Sequence, residues 1–161
     1  NGLAKSFAMT GWRVGYTLAH ADLIKAMTKI QGQSTSNICS IAQKAALAAL
    51  TGGWECLAPM IAAFVRRRDL GLAKVLGWGD VICPKPAGAF YLFPQVDAYY
   101  TPEVPDSTAL CGLLLERAGV ALVPGVAFGD DRCIRISYAL DDETLSDCLD
   151  KVGQVLHDLK K

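Results

Sequence analysis

Hydrophobic positions along this chain repeat first at helical spacing and later in shorter runs. Leu23, Ile24, Met27 and Ile30 fall on one face of "ADLIKAMTKIQGQ", which predicts a helix there. The polar turn "QSTSN" offers several N-cap residues to a second helix, "SIAQKAALAAL", closed by Gly52-Gly53. A long helix is expected from near Pro59, a favoured first-turn residue, to Gly77. Its apolar stripe would be Ile61, Phe64, Val65, Leu72, Val75 and Leu76. The run "DSTALCGLLLERAG" reads as a helix capped by Asp106 or Ser107 and stopped by Gly119. A last helix starts at Asp141, with Asp142 and Glu143 at the positive end of its dipole. Along it Leu145, Leu149, Val152, Leu156 and Leu159 recur at spacings of four and three.

The intervening runs "RVGYTLA", "DVICPKP", "GAFYLFPQV", "VALVP" and "CIRISYA" read as short strands bounded by Gly and Pro. A helix-rich first half followed by alternating strands and helices gives an α/β or α+β layer domain, expected as a small mixed sheet with helices packed on it. No repeat, low-complexity segment or internal linker interrupts it.

Composition narrows this little. The 161 residues are 52% hydrophobic and 20% charged, as in folded globular chains. Sixteen basic residues balance sixteen acidic ones, so charge gives no reason to expect nucleic acid or an anionic membrane as partner. The run Arg66-Arg67-Arg68 reads as a solvated, ion-paired helix face. No apolar run approaches the ~20 residues of a membrane span. Six cysteines (Cys39, Cys56, Cys83, Cys111, Cys133 and Cys148) are scattered without a C-x-x-C pair, and His20 and His157 are the only histidines. That pattern suits neither a disulfide scaffold nor a metal centre; free thiols, buried or half-buried, are expected.

The candidate chemistry lies at the start of the chain, in "NGLAKSFAMTGWRVGY". A lysine in a Gly/Ala/Ser-rich, locally apolar segment can lose solvation, which frees its amine as a nucleophile. Lys5 occupies such a segment, and Arg13 adds a fixed charge and a bidentate fork suited to phosphate. Together they fit a phosphorylated cofactor that condenses with an amine, such as pyridoxal phosphate. A surface Lys/Arg pair would look the same from composition alone.

The segment "AKSFAMTGWRVGY" resembles the cofactor-lysine signature of class I aminotransferases of fold type I, roughly S/A-K-x-x-x-M-T-G-W-R-x-G-Y. The resemblance continues through "QGQSTSNICSIAQKAALAAL", "GAFYLF", "VALVPGVAFGDD" and "CIRISYA", in the family's order. It is closest to the bacterial and plastid aspartate aminotransferases that include prephenate aminotransferases. Such a resemblance implies pyridoxal 5'-phosphate as cofactor, amino acids and 2-oxo acids as substrates, a homodimer, and a cytoplasmic or plastid location. It implies that Lys5 forms the Schiff base and shuttles a proton, that Arg13 binds the cofactor phosphate, and that Arg135 clamps the substrate carboxylate. Phe90 would line the substrate side of the pocket or serve as a core aromatic. Ser34 to Asn37 would approach a neighbouring subunit's site or form a plain capped turn, and Gly125 and Gly129 would serve loop geometry.

Ala4 departs from the serine that many relatives carry before the lysine. In the family, the aspartate that pairs with the pyridine nitrogen, an asparagine and a ring-stacking aromatic all precede the lysine. The chain is therefore expected to be the C-terminal part of an aminotransferase, inactive alone, with residues 1–50 ending a large domain and 51–161 forming the small one. Another fold-type-I lyase or synthase, or a non-catalytic aminotransferase-like domain of a regulator, would keep the same residues.

Overall fold

Helices form where periodicity and end signals agree, and strands form only where a neighbour is within reach. The computed structural model describes residues 1–161, which divide into two compact units, Asn1–Met60 and Ile61–Lys161.

In the first unit a short helix α1 (Leu3–Ser6) leads through a 3-10 turn (Thr10–Trp12) to α2 (Ala21–Ser34) and α3 (Ser40–Thr51). The expected strand "RVGYTLA" is reduced to one bridge, Gly2 to Gly15, because a strand needs a partner and only Asn1–Leu3 lies alongside. Leu3, Val14 and Ala42 form a small core with Phe7, Met9, Ile38 and Ala46 around it. The predicted face of α2 exists but stays largely uncovered: Leu23, Met27 and Ile30 are exposed and only Ile24 is half-buried. The caps of "QSTSN" go unused, since α3 begins after Cys39 without a side-chain cap. Gly52 closes α3 as expected.

Helix α4 (Leu57–Leu76) runs into the second unit, which continues with β1 (Tyr91–Leu92), α5 (Ser107–Ala118), β2 (Val123–Pro124), β3 (Ile134–Ser137) and α6 (Asp142–Asp158). The stripe predicted for α4 is partly misplaced. Val75 is fully buried and Phe64 and Leu72 pack on the core, but Ile61, Val65 and Leu76 are exposed. Gly71 takes the core-facing place, where a Cβ would lie 3.2 Å from Leu92 Cδ1 and 3.7 Å from Leu149 Cδ1. The missing side chain lets β1 and α6 approach that helix closely.

Both predicted helix ends of α5 hold: Asp106 Oδ1 accepts from the Ala109 N–H at 2.8 Å, and Gly119 is left-handed at φ 66°. Ser107, the other cap candidate, is buried and donates instead to Asp131 Oδ1 at 2.5 Å. Asp141 caps α6 through the Thr144 N–H at 2.9 Å. Leu145, Leu149, Val152 and Leu156 are buried along α6. Each such leucine is worth about 1.5–3 kcal/mol of burial.

The three strands form one sheet in the order β1-β3-β2, with Leu92 opposite Ile136 and Val123 opposite Arg135. A mixed sheet was expected; both ladders are antiparallel. The segment joining β2 to β3 is too short for the crossover of about a dozen residues that a parallel pair requires. The strands are also shorter than predicted. "DVICPKP" contributes only a bridge from Ile82 to Gln95, since Pro84 and Pro86 lack the N–H that a ladder needs.

The arginine run is ion-paired as expected. Arg66 Nε and Arg67 Nε donate to Asp142 at 2.5 and 3.1 Å, and Arg68 Nε to Asp69 at 3.0 Å. All six cysteines are free, but Cys39 and Cys56 are exposed rather than buried, while Cys83, Cys111 and Cys133 are buried and Cys148 is half-buried. No helix is long and apolar enough to cross a membrane.

Candidate functional site

The first unit places Lys5 and Arg13 on one hydrogen-bonded frame. The Leu3 N–H donates to Val14 O at 3.2 Å and the Tyr16 N–H to Asn1 O at 2.8 Å, so the two segments run side by side. Thr10 Oγ1 donates to Ala4 O at 3.1 Å, tying the lysine helix to the turn that carries the arginine. Leu3 and Val14 take the buried side of this frame, and Lys5 and Arg13 project from it exposed. The apolar cover expected over Lys5 is therefore not formed within the unit, because Leu3 rather than the lysine turns inward.

Arg13 is left-handed at φ 54°, and its Nη1 donates to Thr10 O at 3.0 Å. No carboxylate pairs with it, and no acidic residue occurs anywhere from Asn1 to Ala19. The frame thus carries two cationic side chains on a segment without acidic residues, the charge that an anionic group would need.

Non-glycine residues rarely adopt positive φ, and this chain has four: Ala8, Arg13, Ser36 and Ala89. All four fall in the quoted motifs. Conformations of this kind cost of order 1–3 kcal/mol each and concentrate at functional sites. Ser36 sits in the turn after α2, where Ser34 ends the helix and Thr35 is its C-cap.

In the second unit Arg135 lies mid-strand on β3 and is half-buried. Its neighbours Ile134 and Ile136 turn into the core, which leaves Arg135 on the opposite face. Its guanidinium carbon stands 4.5 Å from the Tyr91 ring centroid and 4.6 Å from that of Phe128. Arg66, Arg67, Arg68 and Arg132 all hold carboxylates, whereas Arg135 has neither an ion pair nor a side-chain hydrogen bond within the chain. A half-buried cation with its N–H donors unclaimed is suited to an incoming carboxylate.

Phe90 packs toward the core, 6.0 Å from Phe64 and 4.4 Å from Tyr91 by ring centroids. Its neighbour Tyr91 stands against Arg135. Sequence reasoning passed over Tyr91 and Phe128, although the aromatic-rich "FYLF" and the Phe in "GVAFG" were the available signal. Gly125 and Gly129 shape that second loop. A Cβ at Gly125 would fall inside 3.0 Å of the Cys133 and Asp130 carbonyl oxygens, and Gly129 is left-handed at φ 87°.

Residues 1–152 match the family model described as aminotransferase class I and II. The chain is 46% identical to the aspartate aminotransferase of Pinus pinaster, covering 97% of this chain and 34% of that protein. It is 47% identical to the bifunctional aspartate aminotransferase and glutamate/aspartate-prephenate aminotransferase of Petunia hybrida, covering 99% of this chain and 35% of that one. The chain thus spans about a third of the length of these curated relatives. Its fold superposes on the crystal structure of the aspartate aminotransferase from Rhizobium meliloti with a TM-score of 0.91 at 39% identity, through 98% of this chain and 41% of that one. With a family model aligned along nearly its whole length and a solved relative matching its fold as closely, the chain belongs to the class I and II aminotransferases.

Proposed function

We propose that the full-length protein carrying this chain transfers an amino group between an amino acid, with aspartate or glutamate as donor, and a 2-oxo acid. Its cofactor is pyridoxal 5'-phosphate. The observation that carries this reading is the acid-free frame that holds Lys5 and Arg13 together. The residues present fit the reactive and phosphate ends of that cofactor: an amine for the aldehyde, a guanidinium with no carboxylate on it for the phosphate.

When bound, the cofactor supplies an electron sink for the pair left at the substrate α-carbon. Lys5 would hold the cofactor at its aldehyde end, and its amine Nζ would be the group that takes and returns a proton at the substrate α-carbon. Arg13 meets the phosphate by charge and by the fork of its guanidinium. Arg135 binds the α-carboxylate through two parallel N–H donors and so fixes which bond of the α-carbon is presented. Phe90 supports this end of the site through Tyr91 and Phe64.

The names of the Pinus and Petunia relatives support a dicarboxylic donor, with prephenate as one acceptor to test. The full-length protein is assayed with aspartate and 2-oxoglutarate, and with glutamate and prephenate. Turnover is expected with at least one pair; none with any dicarboxylic pair would overturn the substrate class. The isolated chain, which spans about a third of those relatives, is expected to show little or no turnover. A homodimer belongs to the same reading, and sedimentation of the full-length protein at monomer mass would remove it.

A further inference from the structure

We propose that Tyr91 and Phe128 are positioning residues for carboxylate recognition, holding the Arg135 guanidinium in place by its charge while leaving its N–H donors for substrate. The inference rests on the reading of Arg135 as the carboxylate anchor.

Three observations carry it. First, both rings lie within cation–π range of Arg135, at 4.5 and 4.6 Å, and no acceptor in the chain takes its N–H groups. An arginine fixed by a carboxylate spends the donors that a ligand needs; one fixed by rings does not. Second, each ring is itself braced. Phe128 meets Phe93 edge-on at 6.0 Å and 87°, and Tyr91 packs on Phe90 at 4.4 Å, which in turn packs on Phe64 at 6.0 Å. The arginine therefore stands in a continuous aromatic row. Third, the backbone supplies these contacts without strain on β3. Tyr91 pairs with Ser137, so it shares the face of Arg135, diagonal to it across the β1–β3 ladder. Phe128 arrives from the other side of the sheet order, on the 3-10 turn Gly125–Phe128 that follows β2.

Phe128 is 49% exposed in this chain. Losing it frees the long arginine side chain to sample other rotamers, and the carboxylate must then order it again on binding.

The test uses the full-length protein loaded with cofactor. Phe128→Leu is expected to raise KM for both amino acid and 2-oxo acid about fivefold, with kcat changed less than about twofold, because binding is weakened before chemistry. Phe128→Tyr restores the wild-type KM. In an Arg135→Ala background, Phe128→Leu changes KM less than about twofold, since the ring acts only through the arginine. An unchanged KM in Phe128→Leu, or the same fivefold rise without Arg135, overturns the proposal. Arg135→Ala with unchanged KM overturns the underlying reading of Arg135 instead.

Tyr91→Leu provides a second variant should Phe128→Leu fold poorly. A further arm uses the full-length protein with sodium acetate as probe. The Arg135 Nε–H proton resonance is expected upfield from ring currents, to move on acetate addition, and to lose its upfield shift in Phe128→Leu. A resonance at the ordinary arginine position in the unliganded protein contradicts the contact itself.

Discussion

Replacing Gly125 by alanine is expected to open the loop that brings Phe128 to Arg135. The added Cβ would fall inside 3.0 Å of the carbonyl oxygens of Cys133 and Asp130 and 2.7 Å from the Cys133 carbonyl carbon. These are backbone atoms and cannot swing away as a side chain would. The same carbonyls anchor the turn: the Gly125 N–H donates to Cys133 O at 2.8 Å, and the Asp130 N–H donates to Gly125 O at 3.2 Å. Overpacking costs about 1–3 kcal/mol, and one broken turn hydrogen bond adds about 1 kcal/mol, so a loss of about 2–4 kcal/mol is expected. Two other glycines calibrate it. Gly129→Ala has open space but keeps φ 87°, and loses about 1–2 kcal/mol to left-handed strain. Gly112→Ala, in open space within α5, gains about 0.5–1 kcal/mol from helix propensity. Urea unfolding followed by circular dichroism on the 161-residue chain gives all three values. A Gly125→Ala loss no greater than that of Gly129→Ala would refute the close-approach reasoning.

Other consequences follow from the second unit. Leu149→Ala, at a buried position facing Gly71 on α4, is expected to cost about 2–5 kcal/mol in the same unfolding assay. Hydrogen bonds from Arg132 hold the Asp130 carboxyl down at about 2, below its ordinary 3.8. Its contribution is thus present above pH 3.8 and is lost as pH falls toward about 2, and Asp130→Asn should remove that part of the acid unfolding limb. An acid limb unchanged in the variant would contradict the pairing. Thiol titration of the native chain at pH 8 is expected to find Cys39 and Cys56 reacting first. Cys111 and Cys133, buried and with thiols pushed up to about 11, should react only on unfolding.

How much of this was legible depended on where each signal is stored. The ends of α5 and α6 were legible because Asp106, Gly119 and Asp141 act locally, on backbone groups a few residues away. The strands were not, because β pairing depends on what lies alongside: "RVGYTLA" has strand composition but only Asn1–Leu3 as neighbour. Periodicity marked Leu23, Met27 and Ile30 as one face without saying what covers it, and in this chain they stand exposed. On α4 the same reasoning missed Gly71, since a residue without a side chain leaves no apolar mark where helices meet closely. Among the candidate residues, Lys5, Arg13 and Arg135 stood out as members of dense motifs. Tyr91 and Phe128 did not, because their role arises from the β1–β3 register and a turn remote in sequence.

The central claim is that Lys5 carries the cofactor, and borohydride trapping tests it most directly. The full-length protein loaded with pyridoxal 5'-phosphate is reduced, digested and mapped by mass spectrometry, beside its Lys5→Ala variant. The account predicts a phosphopyridoxyl group on Lys5 and none on any lysine of the variant. Modification of another lysine with Lys5 unmodified would contradict it.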